Sequence, residues 1–332
     1  MITHRITGAS KSDGLRALDL SRDLRPLADL IEFAFGAELD QTGNQITREI
    51  RSLAPLGPIL SVFNLLNAPL SDMLNGFVWV EDRRLVGNVT VTLQRRGVWM
   101  ISNVAVYPEH RGRGIARQLM EAALNLIEER GGHTVLLQVR SDNQAAQALY
   151  RHLGFTCYET TVDLSGQIPA METKPEFPAS TVLRPERAGD WQQLYDLYLT
   201  TTSPSFRKYH PVSPRAFRRP WGSGILEALG DWLTGGGHWR LVVEREGRDI
   251  VASLSVSATS GGVQRLRLLV APSERGSLES ALVDEALRRL RPWAGTRVAC
   301  TVPASHTAAL EALKRRGFSE IRRLDQMALE IF

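Results

Sequence analysis

A chain of 332 residues, 43% hydrophobic and 23% charged, is composed like a globular protein and is long enough for two domains. Its net charge of +4 rests mainly on Arg and is not gathered into the dense basic stripe of a nucleic-acid binder. The two cysteines, Cys157 and Cys300, supply neither a disulfide framework nor a zinc spacing; no metal is expected, and both read as small buried apolar residues.

The opening MITHRITGASKSDG lacks the apolar core of a signal peptide and reads as a disordered tail over residues 1–13. Leu15, Ala17 and Leu18 predict a first strand. Ser21-Arg22-Asp23 then caps a helix carrying Leu27, Leu30, Ile31, Phe33 and Ala34 at helical spacing. A helical, Pro-broken region follows to about Asn75. Its apolar stretch Leu53–Leu74 holds Pro55, Pro58, Pro69, Asn64 and Asn67, which suits no membrane span. Without a leader or a span, a cytoplasmic location is the default. Residues 76–80 and 85–91 predict a hairpin turning at 81–84, and 98–107 a third strand. A helix from Ile115 to about Glu129 stops at Gly131-Gly132. A buried strand (134–139), a short helix (145–151) and a further strand (156–164) complete this half. The stretch SGQIPAMETKPEFPAS, rich in Pro, Ser and charge, predicts a linker over 166–180.

The order then repeats over 181–332. Thr181–Arg184 and a helix from Asp190 match the first strand and helix; 239–244 and 249–257 match the hairpin. Residues 263–272 with SERGSLESALVDEALRRL match the third strand and its helix, and 298–302 with HTAALEALKRRGF match the buried strand and short helix. Ala271 stands 164 residues after Tyr107 and Gly317 stands 163 after Gly154, near-constant offsets that indicate a duplication. The final strand of the first half looks short beside Ser319–Phe332, which leaves open an exchange of strands between the halves.

The stretch VAVYPEHRGRGIARQLM, Val104–Met120, passes from strand to helix through Pro108, Arg111, Gly112, Arg113 and Gly114. Helix N-termini carry unpaired N–H groups, and glycine lets an anion reach the backbone, so the loop is built to hold an anion such as a pyrophosphate. It matches neither G-x-G-x-x-G nor the P-loop pattern. Its R-x-x-G-x-A pattern (Arg111, Gly114, Ala116) resembles the acetyl-CoA loop of the GNAT acetyltransferase superfamily. The second segment, LQVRSDNQAAQALYRHLGF, resembles the family's strand–Asn–helix–Leu-Tyr–Gly-Phe run at Asn143, Leu149-Tyr150 and Gly154-Phe155. That run is most similar to the ribosomal-protein alanine N-acetyltransferases, and the tandem layout resembles mycothiol synthase. The resemblance covers roughly residues 15–165.

It implies an α/β (α+β) fold. Two tandem GNAT-like domains, 14–165 and 181–332, would each hold a mixed, mostly antiparallel central sheet with flanking helices and a splayed acetyl-CoA cleft. It implies acetyl-CoA as cofactor and the primary amine of a small molecule or peptide as acceptor. Asn103, Val104, Ala105 and Val106 would pair with the pantetheine arm, the Val104 N–H taking the thioester oxygen. The N–H groups of Arg111, Gly112, Arg113, Gly114, Ile115 and Ala116 would hold the pyrophosphate. Asn143 would bind pantetheine or the neighbouring backbone, and Tyr150 would serve as general acid. Asn143 also reads as a helix cap, Tyr150 as a core aromatic and Arg113 as a solvated side chain. The family's usual Glu base is replaced by Gln138, which cannot take a proton. Glu109, His110, Asp142, Glu159 or an ordered water remain as bases.

The second copy keeps Arg275 and Gly276 but has Leu278, Ser280, His306 and Leu313 where the first has Gly114, Ala116, Asn143 and Tyr150. It reads as degenerate, with Leu278 placed where a phosphate would pass. Trp99, Phe63, Phe77 and Leu53–Leu74 read either as an acceptor cleft or as core. The basic, aromatic insert Phe206–Trp221 reads as a solvated loop or an anion or RNA contact. A homodimer through either half is compatible with this layout. Two rival functions are a non-catalytic CoA sensor and an RNA- or ribosome-associated module.

Overall fold

Strand β3 (Arg84–Arg95, RLVGNVTVTLQR) is buried from Leu85 to Val91 without alternation, as expected of a β-branched strand covered on both faces. The structure, a computed structural model, describes residues 13–36, 75–170, 174–218, 235–245 and 249–331. The expected tail up to residue 12, Phe63, the Leu53–Leu74 stretch and Trp221 lie outside the described residues. Two units form, and the division between them crosses chain order.

The first unit takes residues up to Gln138, Ala145–Thr156 and Met327–Phe332. Strand β1 (Gly14–Ala17), helix α1 (Leu20–Phe35) and strand β2 (Asn75–Glu81) lead into β3. Strand β4 (Val98–Val106), helix α2 (Ile115–Glu129), strand β5 (Thr134–Arg140) and helix α3 (Gln144–His152) follow. The strand order is β1-β2-β3-β4-β5, antiparallel as far as β4, with β5 parallel to β4. Helix α2 buries Ile115, Leu119, Met120, Ala123 and Ile127, one stripe of an amphipathic helix. It packs closely because Gly87 has no side chain: a Cβ there would stand 3.1 Å from Leu119 and 3.2 Å from Ile115. Leu30, Val78, Val80, Leu85 and Ala105 form a core cluster that includes α1.

The second unit takes Val139–Gln144 and Cys157–Gln326. It contains β6 (Thr156–Gln167), β7 (Thr181–Pro185), α4 (Trp191–Thr201), α5 (Pro204–Tyr209), β8 (Gly237–Arg245), β9 (Ile250–Ala258) and β10 (Gln264–Val270). Helix α6 (Glu279–Leu290), β11 (Arg297–Pro303), α7 (Thr307–Arg315) and β12 (Ser319–Glu330) complete it. Its strand order is β12-β6-β11-β10-β9-β8-β7.

The exchange left open by the sequence is present. Strand β6, counted above with the first domain, pairs antiparallel with β11 of the second unit from Arg297↔Gln167 to Pro303↔Thr161. The chain's last residues join the first unit: the Ile331 N–H donates to the His133 carbonyl (2.9 Å) and Thr134 Oγ1 to Glu330 Oε2 (2.9 Å). Met327 and Ala328 are buried there. The expected linker also starts late, because β6 runs through Gly166 and Gln167; Gly166 lies against the Phe318 ring.

One side-chain expectation is corrected. Cys157, near the start of β6, is exposed, whereas Cys300 is buried as expected. Trp99 is a buried residue of β4, and Phe77 is half-buried in β2. Among the described residues no helix is long and apolar enough to cross a membrane.

Candidate active site

The site begins where β4 parts from β5. Their parallel pairing ends at Met100↔Leu136, while β4 continues to Val106. Beyond Met100 the β5-facing backbone groups of β4 leave that ladder. On its other edge β4 meets β3 as Thr90↔Ser102 and Asn88↔Ala105, so Asn103 and Val104 together oppose Val89. This is a β-bulge. Asn103 has φ 53°, a left-handed conformation that Asn adopts more readily than most side chains.

Asn88 backs the bulge. It is fully buried, and its Nδ2 donates to the Asn103 carbonyl (3.0 Å) and to Thr90 Oγ1 (3.3 Å). Asn103 Nδ2 donates to Thr90 Oγ1 as well (3.4 Å). Asn88 Oδ1 is buried without a hydrogen-bond partner among the described residues; such an orphan costs about 1–3 kcal/mol. No motif marks Asn88 in the sequence, where it is one polar residue in an apolar strand.

After Val106 the chain makes one 3-10 turn, Pro108–His110, and enters α2 through Gly112 (φ 74°) and Gly114 (φ 77°). A Cβ on either glycine would meet nothing within 4 Å, so both are required for left-handed backbone, not for tight packing. Gly114 caps α2, and no side chain caps the helix. Its first amides therefore present the positive end of the helix.

The loop's arginines act as braces. Arg111 Nε donates to the Val106 carbonyl (3.0 Å), and the Arg111 N–H is spent on the Pro108 carbonyl (3.1 Å), so that expected phosphate donor is already used. Arg113 is not simply solvated: its two terminal nitrogens each lie 2.9 Å from a Glu81 oxygen. Glu81 also accepts the Trp79 indole N–H (2.9 Å) and lies 3.0 Å from His110 Nδ1. The Trp79 N–H, Arg113 and His110 together hold the Glu81 carboxyl below the usual carboxylate range. Glu81 thus ties the end of β2 to the loop, a role the sequence does not signal.

Tyr150, on α3 of the same unit, is 6% exposed. Burial pushes its phenol up to about 12, and among the described residues its hydroxyl forms no hydrogen bond. Asn143 immediately precedes α3, and its N–H donates to the Arg140 carbonyl (3.0 Å). It belongs to the Val139–Gln144 segment of the second unit, so it is not grouped with the loop and Tyr150.

The expected bases are dispersed or engaged. Gln138 and Glu109 are exposed. His110 contacts Glu81. Asp142 pairs with Arg140, which holds it below the usual range. Glu159 accepts the Ser203 hydroxyl (2.8 Å) in the second unit.

The duplicate loop shows what occupies the place of the expected anion seat. Leu278 does not block the loop: it is fully buried in the second unit's core. Glu279 takes the seat instead. The Gly276 N–H donates to Glu279 Oε2 (2.7 Å), and His306 Nε2 lies 2.9 Å from Oε1, with both side chains buried. Burial would raise the Glu279 carboxyl, but His306 and the backbone N–H donors outweigh it and hold it low.

Residues 56–155 match the Acetyltransferase (GNAT) family model. The chain is 45% identical over 53 residues to the ribosomal protein bS18 alanine N-acetyltransferase of Escherichia coli (strain K12), covering 16% of this chain and 36% of that protein. It is 42% identical over 59 residues to the mycothiol acetyltransferase of Paenarthrobacter aurescens (strain TC1), covering 18% of each. The match therefore spans well under two thirds of either relative. A GCN5-related N-acetyltransferase structure from Sphaerobacter thermophilus superposes with TM-score 0.63 at 19% identity over 95% of both chains, a likeness of fold. The expected α/β fold with tandem domains is thus the observed one.

Proposed function

We propose, because residues 56–155 match the Acetyltransferase (GNAT) family model, that the chain is an acetyl-CoA-dependent N-acetyltransferase whose acceptor is a primary amine on a small molecule or peptide. The observation that carries the reading is the first unit's open anion seat. Left-handed Gly112 and Gly114 lead to an uncapped α2 directly after the strand that parts from β5. The duplicate loop supports it: there the N–H of Gly276, the counterpart of Gly112, donates to the Glu279 carboxylate.

Acetyl-CoA, when bound, supplies the activated acetyl group as a thioester. In this reading the amides from Gly112 to Ala116 hold its pyrophosphate, and Asn103–Val106, where β4 has left β5, aligns the pantetheine arm. The Val104 N–H polarises the thioester carbonyl. Tyr150 keeps its proton on Oη at neutral pH and holds it for the departing sulfur. The acceptor amine enters in its neutral form, with no carboxylate at Gln138 to deprotonate it. The alanine N-acetyltransferase relative favours a peptide or amino-acid amine, and the cytoplasm is the compartment where such acceptors meet acetyl-CoA.

A second reading, a CoA-binding sensor, is favoured by Gln138. Native mass spectrometry with acetyl-CoA, followed by an amine-acceptor screen, tests both. One cofactor per chain with turnover supports the enzyme. One cofactor without turnover on any amine supports the sensor, and no cofactor overturns both.

A further inference from the structure

We infer that Asn88 is a positioning residue that locks the orientation of the Val104 amide. The inference rests on the reading that this amide faces the thioester oxygen. In a trans peptide the carbonyl and the N–H point in opposite directions, and the described chain has no cis bonds. The Asn103 carbonyl and the Val104 N–H belong to one such peptide. Asn88 Nδ2 draws the Asn103 oxygen toward β3 at 3.0 Å. The Val104 N–H of the same peptide then points away from the Asn88 amide, and is assigned to the edge where β4 has left β5. Without that grip, the peptide could rotate and present a carbonyl oxygen to the cleft, replacing a donor by an acceptor.

Stability alone does not account for Asn88. It sits inside the buried run Leu85–Val91, and its Oδ1 is left without a partner among the described residues. An apolar residue of similar size would satisfy the strand and remove the orphan. The bonds to the Asn103 carbonyl and to Thr90 Oγ1 are what such a residue could not make, and Asn103, at φ 53°, is the residue whose conformation needs holding. Thr90 completes the clasp by accepting from both amides.

The test compares the wild type, Asn88→Leu and Asn88→Asp. Each is loaded with acetyl-CoA carrying 13C at the acetyl carbonyl, and each is also titrated with CoA by calorimetry. The bound wild-type carbonyl resonance is expected downfield of the free cofactor. In Asn88→Leu it returns toward the free position, while CoA affinity persists and the melting temperature holds or rises. Acetyl transfer falls about 10²-fold, as on loss of an oxyanion donor. Asn88→Asp keeps the shape but puts an acceptor against the Asn103 carbonyl, and it behaves the same way; it decides the matter if the Leu variant does not fold. An unchanged resonance in a folded variant overturns the lock. So does joint loss of resonance shift, CoA affinity and stability, which marks a merely structural role. A wild type that binds no acetyl-CoA overturns the cofactor reading itself, whereas binding with an unshifted carbonyl overturns only the role given to Val104 and Asn88.

Discussion

Tyr150 is where burial and chemistry meet in one side chain. Its ring is core, packed 6.1 Å from Phe155, while its hydroxyl has no partner among the described residues. Removing the hydroxyl should therefore leave the fold intact. Tyr150→Phe is expected to keep its melting temperature and its CoA affinity while turnover falls roughly 10²-fold, the usual worth of a positioned acid; steady-state kinetics beside a thermal melt checks this. Glu81 works through the loop. Glu81→Gln, which weakens the grip on Arg113 and His110, is expected to weaken CoA binding more than it changes kcat. Because the folded carboxyl is depressed, the grip is fully present above the ordinary value of 4.5 and is lost as pH falls through the lower folded value. CoA affinity measured from neutral pH downward should hold until below that point in the wild type.

At the scale of elements, strand, turn and helix form one device. The strand ends beyond its pairing with β5, the turn is braced by Arg111 on Val106, and the helix begins without a side-chain cap. Gly114 makes it continuous, since only a residue at ease with φ 77° joins turn to helix there. Gly114→Val is expected to cost about 1–2 kcal/mol in backbone strain and to abolish CoA binding, read by calorimetry and melting. The duplicate illustrates the alternative: with Leu278 at φ −105° the helix starts right-handed, and Glu279 closes the loop from inside.

For the whole molecule, the division into units crosses the two copies: most of β6 belongs to the second unit and the chain's last residues to the first. Met327–Phe332 belong to the first unit, so a chain ending at Gln326 is expected to lose that unit's stability and its CoA binding, seen as early proteolysis of the first half. The two loops also predict the cofactor count. One acetyl-CoA per chain is expected by native mass spectrometry, and two would contradict the filled seat at Glu279. That carboxyl is held low, so its contribution to stability is present above the usual carboxylate range and is lost as pH falls below it; Glu279→Gln should remove this part of the acid-side slope.

Much of this was legible in the chain because it is local. The R-x-x-G-x-A turn, the Gly-Phe ending of the short helix, the β-branched run of β3 and the near-constant offset between copies depend on neighbours in sequence. What tertiary structure decided was partnership. Two copies of one pattern offer nearly equivalent edges for a last strand, and nothing local tells β6 to pair with β11 or sends the chain's end to β5. The loss of the second anion seat was legible only as a missing glycine; which side chain filled it depended on Glu279 turning inward to Gly276 and His306. Asn88, an unremarked polar residue in sequence, became significant only when folding placed its amide against the Asn103 carbonyl. Periodicity and turn chemistry act along the chain, whereas strand exchange and buried hydrogen bonds join residues that the sequence holds far apart.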